Sequence, residues 1–324
     1  MTDVLLLGGT GWLGARIAER WLDAGAHVTC LARGGREAPY GARLVTGDRD
    51  DPAVYSVLAD RQWDEVVDIS SRASHVAAAV AALGGSARHW TYVSSVSAYA
   101  SNTDPGADES AALADPATSD ADDYARQKSG GEAAVRAALA HRAAVIRPGL
   151  IVGPGDPTDR FGYWVSRLAL AGAGPVLIPD TPRAGVQVID VDDVADVAHA
   201  VGREMFVGAV NAVGDPLHLA AFLDEARDVA GHTGALVAAP PDWLVQHDVA
   251  YWAGPRSLPL WLPADMPGFT SRSNATYRLL GGRLRPLRTT LERALADERS
   301  RGLDRPRAAG LRRDDELALL AELP

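Results

Sequence analysis

Cysteine is almost absent from this 324-residue chain, with Cys30 the only one. A single thiol excludes an internal disulfide framework and a cysteine-built metal centre, and its place in the apolar run Val28 to Leu31 predicts a buried strand residue in a reducing compartment. No apolar run approaches the roughly 18 residues that a membrane span needs. The eight histidines are scattered, with no pair at helical ligand spacing, so no metal site is expected. Positive charge is in deficit: 32 lysines and arginines against 42 aspartates and glutamates leave a net charge of −10, which disfavours nucleic acid as a partner. The first residues enter an apolar strand without a leader-like pattern, and a cytoplasmic location is expected.

What is present is ordinary globular material, 47% hydrophobic and 23% charged, in alternating strand and helix patterns. Val4-Leu5-Leu6-Leu7 runs into Gly8-Gly9-Thr10-Gly11-Trp12-Leu13-Gly14, followed by a helical pattern over 15–24. Glycines at 8, 11 and 14 permit a tight turn, close approach of backbone N–H groups to a pyrophosphate, and close packing of helix on strand. The turn, with Thr10, Trp12 and Leu13, is therefore a candidate dinucleotide site at a helix N-terminus. Further strands are expected at 27–31, 43–46, 65–69, 90–94 and 143–146, with helices at 73–83 and 123–140. The alternation predicts an α/β fold, a Rossmann-type doubly wound parallel sheet. Ligands in such sheets bind beyond the carboxyl ends of the strands, which directs attention to Ala32-Arg33, Gly47 to Asp50 and Ser94-Ser95.

Tyr124 and Lys128 stand at i and i+4, on one face of the expected helix. A phenol with pKa near ~10 is a poor proton carrier at neutral pH, and a nearby ammonium brings it toward useful range. A surface helix pair is the plain alternative. It loses weight beside Ser94-Ser95-Val96-Ser97-Ala98-Tyr99, which follows a strand and places hydroxyls over the same rim.

Taken in order, the Gly8, Gly11, Gly14 turn, Asp48, the Ser94 to Tyr99 run, Tyr124 with Lys128, Arg147-Pro148-Gly149, Val188 to Ala195 and Gly281 to Pro286 resemble the extended short-chain dehydrogenase/reductases, the NAD-dependent epimerase/dehydratase family. The resemblance implies Tyr124 as general acid or base, Lys128 on the nicotinamide ribose and beside the tyrosine, and Ser95 on the substrate oxygen, with Ser97 a weaker substitute and candidate substrate contact. It also implies Asp48 near the adenine and Pro148 near the carboxamide. Where many NAD-preferring members carry an acidic residue this chain has Ala32 followed by Arg33, which suits a 2′-phosphate, so NADP is the expected cofactor and NAD the alternative. Val96-Ser97 replaces the acidic pair of family dehydratases, which disfavours elimination. Arg72 is read as a solvated charge.

The resemblance assigns 1–152 and 186–213 to dinucleotide binding and 153–185 and 214–324 to a smaller C-terminal α+β substrate domain. There, Arg160, Tyr163 and Arg167 are candidate substrate contacts. The aromatics from Trp243 to Phe269 suit core packing better than a ring-binding pocket. The arginine-rich stretch 297–311 and the segment 314–323 read as a peripheral tail or packing helix. The implied function is an NADP-dependent oxidoreductase moving hydride between nicotinamide and a ketone or secondary alcohol of a small-molecule substrate. A sugar-nucleotide epimerase, and a non-catalytic nucleotide-binding sensor or scaffold, are the alternatives. The family implies a homodimer through helices near Ala78 and Tyr124, whose alanine-rich faces equally suit intramolecular packing.

Overall fold

A computed structural model describes residues 2–323 as two compact units. The first comprises the chain up to Ile151, Val191–Gly214 and Arg272–Arg283. Its strands are β1 (Asp3–Leu7), β2 (His27–Ala32), β3 (Arg43–Thr46), β4 (Trp63–Asp68), β5 (Ala87–Val93), β6 (Ala143–Pro148) and β7 (Gly208–Ala212). They form one seven-stranded sheet in the order β7-β6-β5-β4-β1-β2-β3, and every neighbouring pair is parallel. The order reverses at β1, the place where an open α/β sheet presents its ligand crevice.

The principal helices are α1 (Trp12–Asp23), α2 (Ala73–Leu83), α3 (Tyr124–Leu139) and α4 (Val191–Arg203). Strand residues alternate between faces. Leu5 and Leu7 of β1 join a core with Val76, Ala79 and Val80 of α2 and Val135 and Leu139 of α3, around the buried rings of Trp63, Trp90 and Tyr92. The other helix pair is pinned at its surface by Arg20 of α1, which reaches Asp192 at 3.0 Å and Asp196 at 2.6 Å on α4. Cys30 is fully buried in β2, and burial pushes its thiol up to about 11. Arg272–Arg283 is tied into this unit through Arg272 on the Ser101 carbonyl at 2.5 Å and Thr276 on Glu109 at 3.1 Å.

The second unit holds Val152–Asp190, Asp215–Ser271 and the chain from Leu284 onward. Its helices Arg160–Ala171, Leu219–Ala230 and Leu287–Arg301 pack on one another, with Phe161 against Phe222 at 5.7 Å. A parallel pair, Val176–Pro179 with Leu236–Ala239, and an antiparallel pair, Gly185–Val186 with Leu217–His218, give it an α+β character. No helix among the described residues is long and apolar enough to cross a membrane.

Candidate active site

The glycine turn begins at the carboxyl end of β1. Gly8 adopts φ of 105°, where L side chains are strained, and its carbonyl accepts the Gly11 N–H at 3.1 Å. A Cβ on Gly14 would stand 2.3 Å from that same carbonyl oxygen, so only glycine lets α1 start this close to the turn. Around the turn lies a cleft of about 640 Å³ lined by Gly8, Thr10, Gly11, Arg33, Asp48 and Ser70 among others. A backbone cradle that a Cβ would fill, at a helix N-terminus and beside a cleft of this size, fits a dinucleotide. Trp12 opens α1 half-buried and Leu13 is buried behind it.

Arg33 and Arg36 are exposed on the cleft wall, just past Ala32 at the end of β2. Asp48 is exposed on the same wall and caps the Asp50 N–H at 3.1 Å. Arg49 turns inward instead. Its two terminal nitrogens meet both oxygens of the fully buried Asp68 at 2.7 and 2.8 Å, and its Nε donates to the Tyr55 hydroxyl at 2.9 Å. Burial opposes the guanidinium charge, but Asp68 outweighs it and holds Arg49 charged. Arg72 is a solvated surface charge, 38% exposed, and it bridges the exposed Asp50 at 2.5 Å and Asp120.

The second cluster joins the end of β5 to the start of α3. Asp123 caps α3 by accepting the Arg126 N–H at 2.9 Å, which sets Tyr124 at the first helical position, half exposed. One turn on, Lys128 is buried and donates to the carbonyls of Ser70 and Val93, both at 2.7 Å. The helix lies this close to the sheet because Gly131 has no side chain: a Cβ there would meet the Tyr92 hydroxyl at 2.4 Å. An ammonium has three protons, and two are used here. The Lys128 Nζ lies 5.9 Å from the Tyr124 ring centroid. Burial pulls its pKa down to about 7, against the opposing pull of Asp68 and Glu132.

Ser95 stands two residues beyond Val93. Its Oγ accepts the Ser97 N–H at 3.1 Å, which occupies an acceptor site and leaves the hydroxyl proton to donate elsewhere. Ser94 is buried, and its hydroxyl has no hydrogen-bond partner among the described residues. Pro148 is buried at the end of the neighbouring strand β6 and is not among the residues lining the glycine cleft. Behind the run, Arg147 forks onto Glu132 at 2.9 and 2.8 Å and donates to the Tyr99 hydroxyl at 2.8 Å, which donates to Asn211 at 2.6 Å. Sequence reasoning used Arg147 and Tyr99 only as markers; a charge inside the apolar strand Ala143 to Pro148 was the available signal that a buried partner existed.

In the second unit, burial corrects two expected substrate contacts. Tyr163 is fully buried, edge-on to Trp164 at 5.1 Å, and acts as a packing residue. Arg167 is buried as well, facing Glu316 at 3.3 Å and the Leu311 carbonyl at 2.5 Å. Arg160 stacks on Trp252 at 5.0 Å and donates to Thr158 at 3.2 Å. The aromatic stretch packs on itself, with Tyr251 on Trp261 at 4.0 Å and Trp252 against Phe269 at 5.4 Å.

A glycine turn at a helix N-terminus and a helix carrying Tyr124 and Lys128 share one doubly wound parallel sheet. The model of the NAD dependent epimerase/dehydratase family matches residues 4–85 and 77–213, and the chain belongs to that family. The fold is similar to that of a putative epimerase from Burkholderia cenocepacia J2315, with 22% identity, TM-score 0.72, and 92% of this chain and 98% of that chain covered. The enzyme WbmH of Bordetella bronchiseptica in complex with NAD+ is similar at 19% identity, TM-score 0.67, covering 92% of this chain and 99% of that one. For UDP-N-acetylglucosamine 4-epimerase from Bacillus cereus the values are 16%, 0.68, 92% and 100%. Comparison with curated protein sequences finds no match.

Proposed function

We propose that this chain is an oxidoreductase that moves hydride between NADP(H) and a ketone or secondary alcohol of a small metabolite. The observation that carries the reading is Lys128, buried with two protons committed to the Ser70 and Val93 carbonyls and its Nζ 5.9 Å from the Tyr124 ring. When bound, the nicotinamide supplies or accepts the hydride. Tyr124 gives a proton to the substrate oxygen in reduction and takes it in oxidation. Ser95 donates its free hydroxyl proton to the same oxygen as charge develops there. Lys128 stabilises the phenolate by charge and offers its third proton to the ribose hydroxyls. Gly8, Gly11 and Gly14 hold the pyrophosphate, Asp48 the adenine, and Arg33 the 2′-phosphate. The Tyr124→Phe variant tests the assignment: turnover should fall by about two to four decades with cofactor affinity nearly intact, and full activity would remove Tyr124 from the mechanism.

Similarity to a putative epimerase and to UDP-N-acetylglucosamine 4-epimerase supports a second reading, a sugar-nucleotide epimerase that oxidises and re-reduces one carbon. It uses the same Ser95, Tyr124 and Lys128 and differs in whether redox change accumulates.

A further inference from the structure

Gln127 precedes Lys128 on α3 and is buried, yet it is not among the residues lining the glycine cleft. Its amide joins two segments from elsewhere in the first unit. Oε1 accepts the Ala73 N–H at 2.9 Å, and Nε2 donates to the Ser119 carbonyl at 2.6 Å. Ala73 opens α2, and Arg72 before it offers no side-chain acceptor to the helix start, so Gln127 supplies one from a neighbouring helix. Ser119 belongs to the segment that leads into Tyr124, where Asp122 accepts the Thr118 and Ser119 N–H groups at 2.7 and 2.9 Å. The approach is possible because Gly130 has no side chain: a Cβ there would stand 2.9 Å from the Ala73 Cβ and 3.2 Å from the Ala117 backbone nitrogen.

Two consecutive side chains of α3 therefore grip the strip between β4 and α2 at both ends. Lys128 holds the Ser70 carbonyl at 2.7 Å, and Gln127 holds the Ala73 N–H. Between those anchors, Ser70, Ser71 and Arg72 form part of the cleft wall. Arg72 extends the same link, from Asp50 on that wall to Asp120 beside Ser119. One acceptor and one donor on the same short group require an amide. A carboxylate has no proton to give, an ammonium has no lone pair, and asparagine is one methylene shorter.

We infer that Gln127 is a positioning residue that sets the Ser70 to Arg72 wall of the cofactor cleft in register with the Tyr124 end of α3, touching neither cofactor nor substrate. The inference rests on the proposed nicotinamide site. The test is calorimetric titration of the full-length protein with NADP+ and with NAD+, following whichever binds more tightly, beside thermal melts. Gln127→Met has similar volume and loses both hydrogen bonds, and it should bind about tenfold more weakly at a temperature where the melt shows it folded. Gln127→Glu supplies the rescue. Its new carboxyl accepts from Ala73 in either state but donates to the Ser119 carbonyl only when protonated. Its affinity is read as a ratio to wild type at each pH, because the neighbouring charged groups Asp50, Arg72, Asp120 and Lys128 are common to both proteins. That ratio should be about tenfold down near pH 8 and return to within about twofold near pH 5, where a buried carboxyl is protonated. Wild-type affinity in Gln127→Met with only a lowered melting temperature would reduce Gln127 to a packing residue and overturn the inference. A deficit in Gln127→Glu that does not change with pH would overturn it as well, and that series decides alone if Gln127→Met does not fold. Failure of the wild type to bind either nucleotide is a separate result, which would overturn the nicotinamide site itself and this inference with it.

Discussion

Lys128 shows how one side chain carries opposing demands. Its folded-state pKa is about 7 against an ordinary 10.5, because burial penalises the charged form. Below pH 7 both states are protonated and the folded protein bears the whole cost of the buried charge. Between about 7 and 10.5 the unfolded chain binds more protons, so stability rises with pH through that window. Chemical denaturation at a series of pH values should show the wild type gaining on Lys128→Met across that window; parallel pH profiles for the two proteins would place the Lys128 titration elsewhere. Arg33 poses the simpler case of an exposed donor. A charge-assisted hydrogen bond contributes about 1.5 to 3 kcal/mol, and exposure puts Arg33 at the low end, so Arg33→Ala should weaken NADP binding by about tenfold and leave NAD unchanged. Titration of both cofactors checks this, and equal losses would deny Arg33 a part in discrimination.

At the scale of elements, the glycine turn separates two kinds of requirement. An added Cβ at Gly14 meets three backbone atoms, the Gly8 oxygen at 2.3 Å and Gly8 C and Gly9 Cα at 3.0 Å, none of which can rotate away. At Gly11 the nearest atom is 3.4 Å off, an ordinary contact. Gly14→Ala should therefore lose about 1 to 3 kcal/mol of stability together with dinucleotide affinity, while Gly11→Ala keeps its stability and loses affinity alone. Thermal melts paired with cofactor titration distinguish them, and equal stability in the two variants would defeat the packing argument. The elements themselves were legible because hydrophobic period and turn chemistry are local: α2 spans 73–83 as the pattern predicts, and β3 spans 43–46. The Arg49 and Asp68 pair was not, since its partners come from the ends of different strands and meet only through the sheet order. Tyr163 and Arg167 fit an amphipathic helix in sequence, but the pattern does not say which polar residues the interior will enclose. Of the two readings of the arginine-rich stretch, a peripheral tail or a packing helix, the contacts favour packing: Asp159 and Glu298 tie it into the second unit.

For the whole molecule the open distinction is whether redox change accumulates. In the proposed reaction Ser95 and Tyr124 serve one oxygen whose carbon passes between trigonal and tetrahedral geometry, which both a reductase and an epimerase require. An eliminating enzyme needs a further acid and base pair, and Val96 and Ser97 supply no carboxylate at that position. An epimerase must present the opposite face of the oxidised carbon to the nicotinamide and must keep that cofactor through the cycle. A reductase must release it at every turnover. The exposed Arg33 and Arg36 on the wall of an open cleft favour an exchanging cofactor held by charge at its periphery. Incubation with a converted substrate and stereospecifically deuterated NADPH should therefore give product bearing deuterium, with oxidised cofactor formed in equal amount. Isomerised product without deuterium and with no change in cofactor redox state would overturn net hydride transfer and establish the epimerase reading in its place.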